Sequence, residues 1–204
     1  MADNILDRTK SQTRAFLTDI RATRADEGNP DSERFIEGYF SVCGVETELW
    51  QGAFEEIAPG AFDETLGNDI RALINHNTTL VLGRNKSGTL ELRADSHGLW
   101  GRIKINSNDV DAVNLHERVK RGDVDQCSFG FNIIEENIDF REDGSIKWTI
   151  TKIDLHEVSV CTFPAYTDTG VQARKLDYEN LKSRRLEQRK LKLKERMKSW
   201  QLNN

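Results

Sequence analysis

Apolar and polar residues alternate along much of the chain between positions 13 and 163, as in β-strands that bury one face. These segments are rich in β-branched and aromatic residues, and turn-forming residues separate them. The pattern predicts an α+β fold built mainly from strands. About seven strands are expected, in segments 13–23, 34–45, 70–77, 89–94, 99–106, 125–133 and 146–163.

Three of the predicted strands carry local signals. Gly38 interrupts segment 34–45 and predicts a bend or bulge there. The turn residues of segment 95–98 predict a hairpin between segments 89–94 and 99–106. In the last strand, Ile153 and Leu155 hold odd positions, whereas Val158, Val160 and Thr162 hold even positions. This shift predicts a β-bulge at His156 and Glu157, and bulges are common beside active sites.

Helical signals are fewer. Pro59 predicts a short helix within segment 55–66. Ser107 or Asn108 is expected to cap a second helix that runs to Arg121 and ends at Gly122. Segment 176–200 favours a third helix, although its leucines form no regular heptad.

Composition excludes some classes of protein. With 37% hydrophobic and 31% charged residues in 204, and no long apolar run, neither a membrane span nor an export signal is expected. The chain is therefore expected to be cytosolic. Three scattered cysteines suggest neither disulfides nor a zinc site. The net charge is +6 from Lys175 onward and −11 before it, so the C-terminal segment is a separate basic tail.

Segment 125–133 is the first candidate for chemistry. As a strand it turns Cys127, Phe129 and Phe131 to one face, and Ser128 and Gly130 to the other. A hydroxyl beside a bare glycine leaves room for an approaching peptide backbone. A serine attacks only when a base takes its proton, and the segment alone favours a purely structural role.

Two further residues complete the set of a serine hydrolase. His76 ends a strand, where it could remove the proton of Ser128, and Glu157 at the bulge could orient the imidazole. As a set of residue types this is weak evidence, because the GxSxG motif is absent. The HERVK segment after Leu115 is not HExxH, and no metal or cofactor is expected.

Several motifs raise this hypothesis, because together and in order they resemble the caudovirus prohead protease family over residues 13–170. They are FIEGYFSV, EEIAPGAFDETL, IRALINHN, VLGR, GTLELRADSHGLWGRI, RGDVDQCSFGF and LHEVSVCTFPAY. The resemblance implies a serine endopeptidase similar to the herpesvirus assemblins, with a closed, mainly antiparallel β-barrel flanked by helices. It also implies that His76 and Ser128 are catalytic.

The third catalytic member stays open between three residues. The family pattern places an acid at Glu157, which we favour because a carboxylate orients an imidazole more strongly than a neutral ring does. The herpesvirus relatives use a second histidine, which makes His156 an alternative, and Asp154 is a further one.

The resemblance also implies a setting and partners. The enzyme would act inside the assembling phage prohead in the host cytoplasm, on the major capsid protein, the scaffold protein and itself. Neither a membrane nor a specific nucleic acid is an expected partner; a homodimer follows by analogy only. The expected organisation is a loose N-terminus (1–12), a protease domain (13–172) and a basic helical tail (173–204). The alternative function is a catalytically silent capsid-assembly module.

Overall fold

A computed structural model describes residues 12–17, 20–29, 32–163 and 168–202 of the chain. The protein divides into two compact units. One spans Arg8–Thr167 and holds, among its described residues, eleven strands, a 3₁₀ turn and an α-helix. The other contains a long C-terminal helix. The site discussed below lies entirely within the first unit.

The described elements are eleven strands, a 3₁₀ turn and an α-helix, followed by the final helix. They are β1 (Gln12–Leu17), β2 (Arg21–Arg24), β3 (Arg34–Val42), β4 (Thr47–Trp50), β5 (Ala53–Ile57), β6 (Arg71–Ile74), β7 (Asn77–Arg84), a 3₁₀ turn (Asn85–Ser87), β8 (Leu90–Ala94), β9 (Gly98–Ile105), α1 (Val110–Arg121), β10 (Gln126–Phe140), β11 (Ile146–Cys161) and α2 (Asp168–Leu202).

The first sheet has seven strands and is organised around the hairpin of β10 and β11. Its order is β1-β10-β11-β5-β4, and β6 with β7 also joins β11. Because β11 is 16 residues long, it can pair in parallel with β5 at its start and with β6 near its end. Gly144, at φ 87°, takes the left-handed conformation that the β10–β11 turn requires.

The second sheet has four strands in the order β2-β3-β9-β8. The predicted hairpin is confirmed, since β8 and β9 pair antiparallel from Leu90 with Ile103 to Ala94 with Leu99. The predicted irregularity of β3 is present but lies between Tyr39 and Ser41, just after Gly38.

Both sheets contribute to one hydrophobic core. Ile36 and Phe40 of the second sheet and Phe129 and Phe131 of the first are fully buried in the same cluster. The rings of Phe129 and Phe131 stack with centroids 4.8 Å apart, which confirms the predicted apolar face of β10. Burial of each such side chain stabilises the fold by about 1.5–3 kcal/mol.

Helix α1 confirms its predicted end and corrects its predicted start. Gly122 ends the helix in the left-handed conformation, at φ 83°. The cap is Asp109 rather than Ser107 or Asn108, because its carboxylate accepts the N–H groups of Asp111 and Ala112.

Three other expectations differ from the structure. The described strands divide between two sheets and form no closed barrel, because no hydrogen-bonded ladder joins the sheet edges. Segment 13–23 supplies two strands, β1 and β2, one in each sheet. Segment 55–66 contains the end of β5 and a series of turns instead of a helix, since Gly60 is left-handed at φ 87°.

Helix α2 covers the segment in which the sequence predicted a basic helix. Leu186, Leu191, Leu193 and Met197 are each more than half exposed. A pair of opposite charges one turn apart, Glu187 and Lys190 at 2.9 Å, lies on its surface. None of the helices in the described part of the chain is long and apolar enough to cross a membrane.

Candidate active site

His76 lies in the tight connection between β6 and β7, just beyond the end of β6. Asn75 and His76 both take positive φ angles, 51° and 58°, which are rare for residues other than glycine. Two hydrogen bonds hold this conformation. The N–H of His76 donates to Oγ of Ser159 at 3.1 Å, and Oδ1 of Asn75 accepts the N–H of Thr162 at 2.9 Å. The unusual backbone therefore directs the imidazole toward β11.

Glu157 meets that imidazole. The predicted bulge is confirmed, because Gly130 pairs with Glu157 and Phe131 with Leu155, which leaves His156 as the extra residue. Oε1 of Glu157 lies 2.7 Å from Nδ1 of His76, and Oε2 accepts the hydroxyl of Ser159 at 2.6 Å. Both oxygens of the carboxylate are thus held in place.

This contact fixes the tautomer of the imidazole. An ionised carboxylate only accepts hydrogen bonds, so Nδ1 of His76 carries the proton and Nε2 of the neutral ring is an acceptor. Nε2 is buried and has no hydrogen-bond partner within the described part of the chain. A buried nitrogen with a free lone pair is what a general base requires.

The carboxylate of Glu157 explains why residue 130 is a glycine. A Cβ on Gly130 would lie 2.5 Å from Oε1 and 3.2 Å from Cδ of Glu157. The space beside the glycine, which the sequence left open for a substrate backbone, is thus filled by the carboxylate of the neighbouring strand. Because residues two apart on a strand share a face, Ser128 lies on the same face as Gly130 and Glu157.

Ser128 is close to this pair but is not hydrogen bonded to it. It lies directly opposite Ser159 in the β10–β11 ladder, and the Cβ atoms of such opposed residues are typically about 4.5–5.5 Å apart. Its side chain is fully buried, and its hydroxyl donates to the backbone oxygen of Arg14 in β1 at 2.8 Å. The structure therefore joins His76 to Glu157 directly and leaves the Ser128 hydroxyl turned toward β1.

The structure places the two alternative third members, Asp154 and His156, elsewhere on β11. Oδ1 of Asp154 accepts the side-chain amide of Asn68 at 2.7 Å. His156 is the bulged residue, and it is Glu157 that contacts the His76 ring. Of the three candidates, Glu157 is the one that the described structure places against the His76 ring.

Ser159 also contributes to the site of His76 and Glu157, and the sequence analysis did not predict this. Its hydroxyl connects the backbone of His76 with the carboxylate of Glu157. The signal was available, because Ser159 follows Glu157 by two residues and so lies on the same face of the strand.

Cys161, two residues after Ser159 in β11, is not a candidate nucleophile. Burial, reinforced by the negative charge of Glu157, raises the pKa of the Cys161 thiol to about 12. The reactive thiolate is therefore scarce at neutral pH. The described residues contain no group of three or more His, Cys, Asp or Glu that could hold a metal ion.

An imidazole held by a carboxylate is one part of the arrangement of serine hydrolases, and Ser128 lies on the same sheet face without bonding to the imidazole. The chain belongs to the caudovirus prohead serine protease family, whose model matches residues 20–184. The predicted family is thereby confirmed.

Two known proteins are similar to this chain. The prohead protease of Enterobacteria phage HK97 is 33% identical over 123 residues, which are 58% of this chain and 52% of the relative. The chain thus spans about half the length of that curated relative. The capsid assembly protease of bacteriophage T4 matches in structure with a TM-score of 0.49 and 9% identity, over 74% of this chain and 97% of the other. The likeness to the T4 protein is too low to bear on function.

Proposed function

We propose that this chain is a serine endopeptidase that cleaves the scaffold protein, the major capsid protein or both inside an assembling phage prohead. Membership of the prohead serine protease family supports the reaction class and the setting. The single observation that carries the proposal is the pair of His76 and Glu157. Nε2 of the imidazole has no partner in the described structure, and Glu157 lies on the same face of the sheet as Ser128.

In the proposed reaction Ser128 is the nucleophile and His76 the general base. Nε2 takes the hydroxyl proton as the oxygen attacks the peptide carbonyl, and then gives it to the leaving amine. Water hydrolyses the resulting acyl-enzyme by the same route. Glu157 stabilises the imidazolium that forms at each step, and Ser159 is a positioning residue that holds both His76 and Glu157.

The resting structure needs one rearrangement before this reaction. The Ser128 hydroxyl donates to Arg14 rather than to His76. Rotation about the Cα–Cβ bond gives a serine hydroxyl three staggered positions. Catalysis therefore requires that Ser128 leave its β1 partner and turn to His76.

Further parts of the proposal come from the sequence. The protease domain would comprise residues 13–172 and the basic tail residues 173–204, where the tail acts as a tether to the acidic scaffold or is removed by self-cleavage. Self-processing, a homodimer and kinship with the herpesvirus assemblins stay predictions. So does the host cytoplasm as the place where the prohead assembles.

The test is to produce the chain together with the capsid and scaffold proteins of the same phage, and to measure the masses of all products. We expect defined cleavage products with the wild type and none with Ser128→Ala. Ser41→Ala is a matched control, because Ser41 is also fully buried but its hydroxyl has no hydrogen-bond partner among the described residues. Identical products from wild type and Ser128→Ala would support the silent assembly module instead.

A further inference from the structure

Strand β1 covers the free edge of the strand that carries the nucleophile. Residues 12–17 pair antiparallel with residues 126–131, and Ala15 lies directly opposite Ser128. In the order β1-β10-β11, β1 is the outermost strand. Without β1, the edge of β10 would present unpaired N–H and C=O groups, which are a template for an extended peptide.

The backbone of β1 also accepts a hydrogen bond from the hydroxyl of Ser128. The 2.8 Å bond from Ser128 to the carbonyl oxygen of Arg14 directs the proton away from His76. A peptide carbonyl beside the nucleophile is also what a bound substrate strand would present. β1 therefore has the position of a substrate strand, and it holds the site in a resting state.

A buried ion pair anchors β1 in this position. The guanidinium of Arg14 forms a two-pronged contact with Glu55 of β5, Nε with Oε1 and Nη2 with Oε2, the latter at 2.9 Å. The side chains of Arg14 and Glu55 are only 13% and 5% exposed. Nη2 also donates to Oε1 of Gln12 at 2.9 Å, and the guanidinium lies 5.7 Å from the centre of the Phe131 ring.

Glu55 has the chemistry of a selective subsite. A buried carboxylate is costly without a cation, and a planar guanidinium satisfies both of its oxygens at once. A peptide strand on the same edge would meet this carboxylate at the position that Arg14 now holds. A basic residue fits there, arginine better than lysine, whereas an acidic residue would place two carboxylates together.

We propose that the edge of β10 is the substrate-binding edge, that β1 occupies it as an intramolecular inhibitor, and that Glu55 selects a basic residue in the peptide that replaces β1. This inference rests on the proposed function, because it assumes that Ser128 is the nucleophile. It adds to that function the class of peptide bound and the reason why the resting site is closed.

Peptide binding tests the subsite without requiring catalysis. The probe is a fluorescein-labelled decapeptide with the sequence of residues 10–19, KSQTRAFLTD, and its partner KSQTEAFLTD carries glutamate in place of the arginine. The full-length Arg14→Ala chain should bind the arginine peptide about 10-fold tighter than the wild type does. Weakening the docking of β1, which competes with the peptide, by ~1.4 kcal/mol corresponds to a tenfold change in affinity. Fluorescence anisotropy measures this.

Selectivity should depend on Glu55. In the Arg14→Ala background, the glutamate peptide should bind at least ~10-fold more weakly than the arginine peptide, because a charge-assisted pair is replaced by like charges. Adding Glu55→Gln, which keeps the shape of the side chain, should remove that difference. Equal binding of both peptides to the Arg14→Ala chain would overturn the proposal, provided that circular dichroism shows it folded. If that chain does not fold, the milder Arg14→Lys is tested by the same comparison.

Serine labelling separates failure of this inference from failure of the proposed function. A fluorophosphonate reagent should label Ser128 about 10-fold faster in Arg14→Ala than in wild type. This is the same factor as in peptide binding, because both measure how strongly β1 holds the edge of β10. Arg121→Ala, which breaks an exposed ion pair between Arg121 and Oδ2 of Asp123 just beyond α1, should not change the rate. Equal rates in wild type and Arg14→Ala would contradict inhibition by β1. Labelling of Ser128 in no variant, with selective peptide binding intact, would contradict the proposed nucleophile instead.

Discussion

Gly130→Ala tests whether the carboxylate of Glu157 must hold His76 where it does. The added Cβ would lie 2.5 Å from Oε1 of Glu157, the same oxygen that lies 2.7 Å from Nδ1 of His76. To reach ordinary van der Waals contact the oxygen must retreat by roughly 1 Å. If the oxygen moves directly away from Nδ1, that contact lengthens to about 3.7 Å, which is outside the range of hydrogen bonds.

The expected cost can be worked from these contacts. Crowding of a well-packed site costs about 1–3 kcal/mol, and loss of a hydrogen bond to a charged group about 1.5–3 kcal/mol. Removing a glycine from a strand interior returns about 0.5–1 kcal/mol. We therefore expect the free energy of unfolding to fall by roughly 1.5–5.5 kcal/mol. Cleavage should slow by about 10²–10⁴-fold, the usual contribution of a positioned general base.

Urea unfolding followed by tryptophan fluorescence measures the first quantity, and the rate of capsid-protein cleavage measures the second. Gly67→Ala is the matched control, because Gly67 is exposed and a Cβ there would meet nothing within 4 Å. A second variant, Glu157→Asp in the Gly130→Ala chain, shortens the side chain and should restore the stability lost to crowding, but neither the hydrogen bond to His76 nor the activity. If Gly130→Ala folds and cleaves as fast as wild type, the role given to Glu157 is wrong.

Two further predictions concern the same face of the sheet. Ser159→Ala should lower the rate of cleavage about 10-fold with KM little changed, because it removes the hydrogen bonds that hold Glu157 and the backbone of His76. Ser41→Ala should have no such effect. Equal rates in the two variants would exclude a positioning role for Ser159. Burial raises the pKa of the Cys161 thiol from 9.0 to about 12. The contribution of the neutral thiol to the free energy of unfolding is therefore complete below pH 9 and is lost as the pH rises to 12. Between pH 9 and 10.5 the free energy of unfolding should fall by about 2 kcal/mol more in wild type than in Cys161→Ala; an equal fall in both chains would contradict this pKa.

The sequence predicted the features that are encoded locally. One-sided burial leaves a period of two in the sequence, so the apolar face of β10 and the bulge before Glu157 could be read directly. The β8–β9 hairpin and the end of α1 at Gly122 follow from turn residues and caps. The ordered motifs were also sufficient to identify the family.

Other features depend on segments that are far apart in the chain. Nothing in the period of β11 indicates that β5 and β6 pair with it in parallel, or that the strands form two open sheets. The turn signal missed at Gly60 shows the same limit, since proline and glycine are compatible there with either a helix or successive turns.

For the active site, the sequence by itself determined which residue types were available and on which face of their strands they lie. Tertiary structure alone decided that a left-handed backbone directs His76 to Glu157, that Ser159 connects the two, and that Arg14 of β1 accepts the hydroxyl of Ser128. The physical reason is that the contacts of His76 with Glu157 and Ser159, and of Ser128 with Arg14, join residues 81 to 114 positions apart. Side-chain periodicity specifies the face of a strand, but only the docking of distant strands specifies its neighbour.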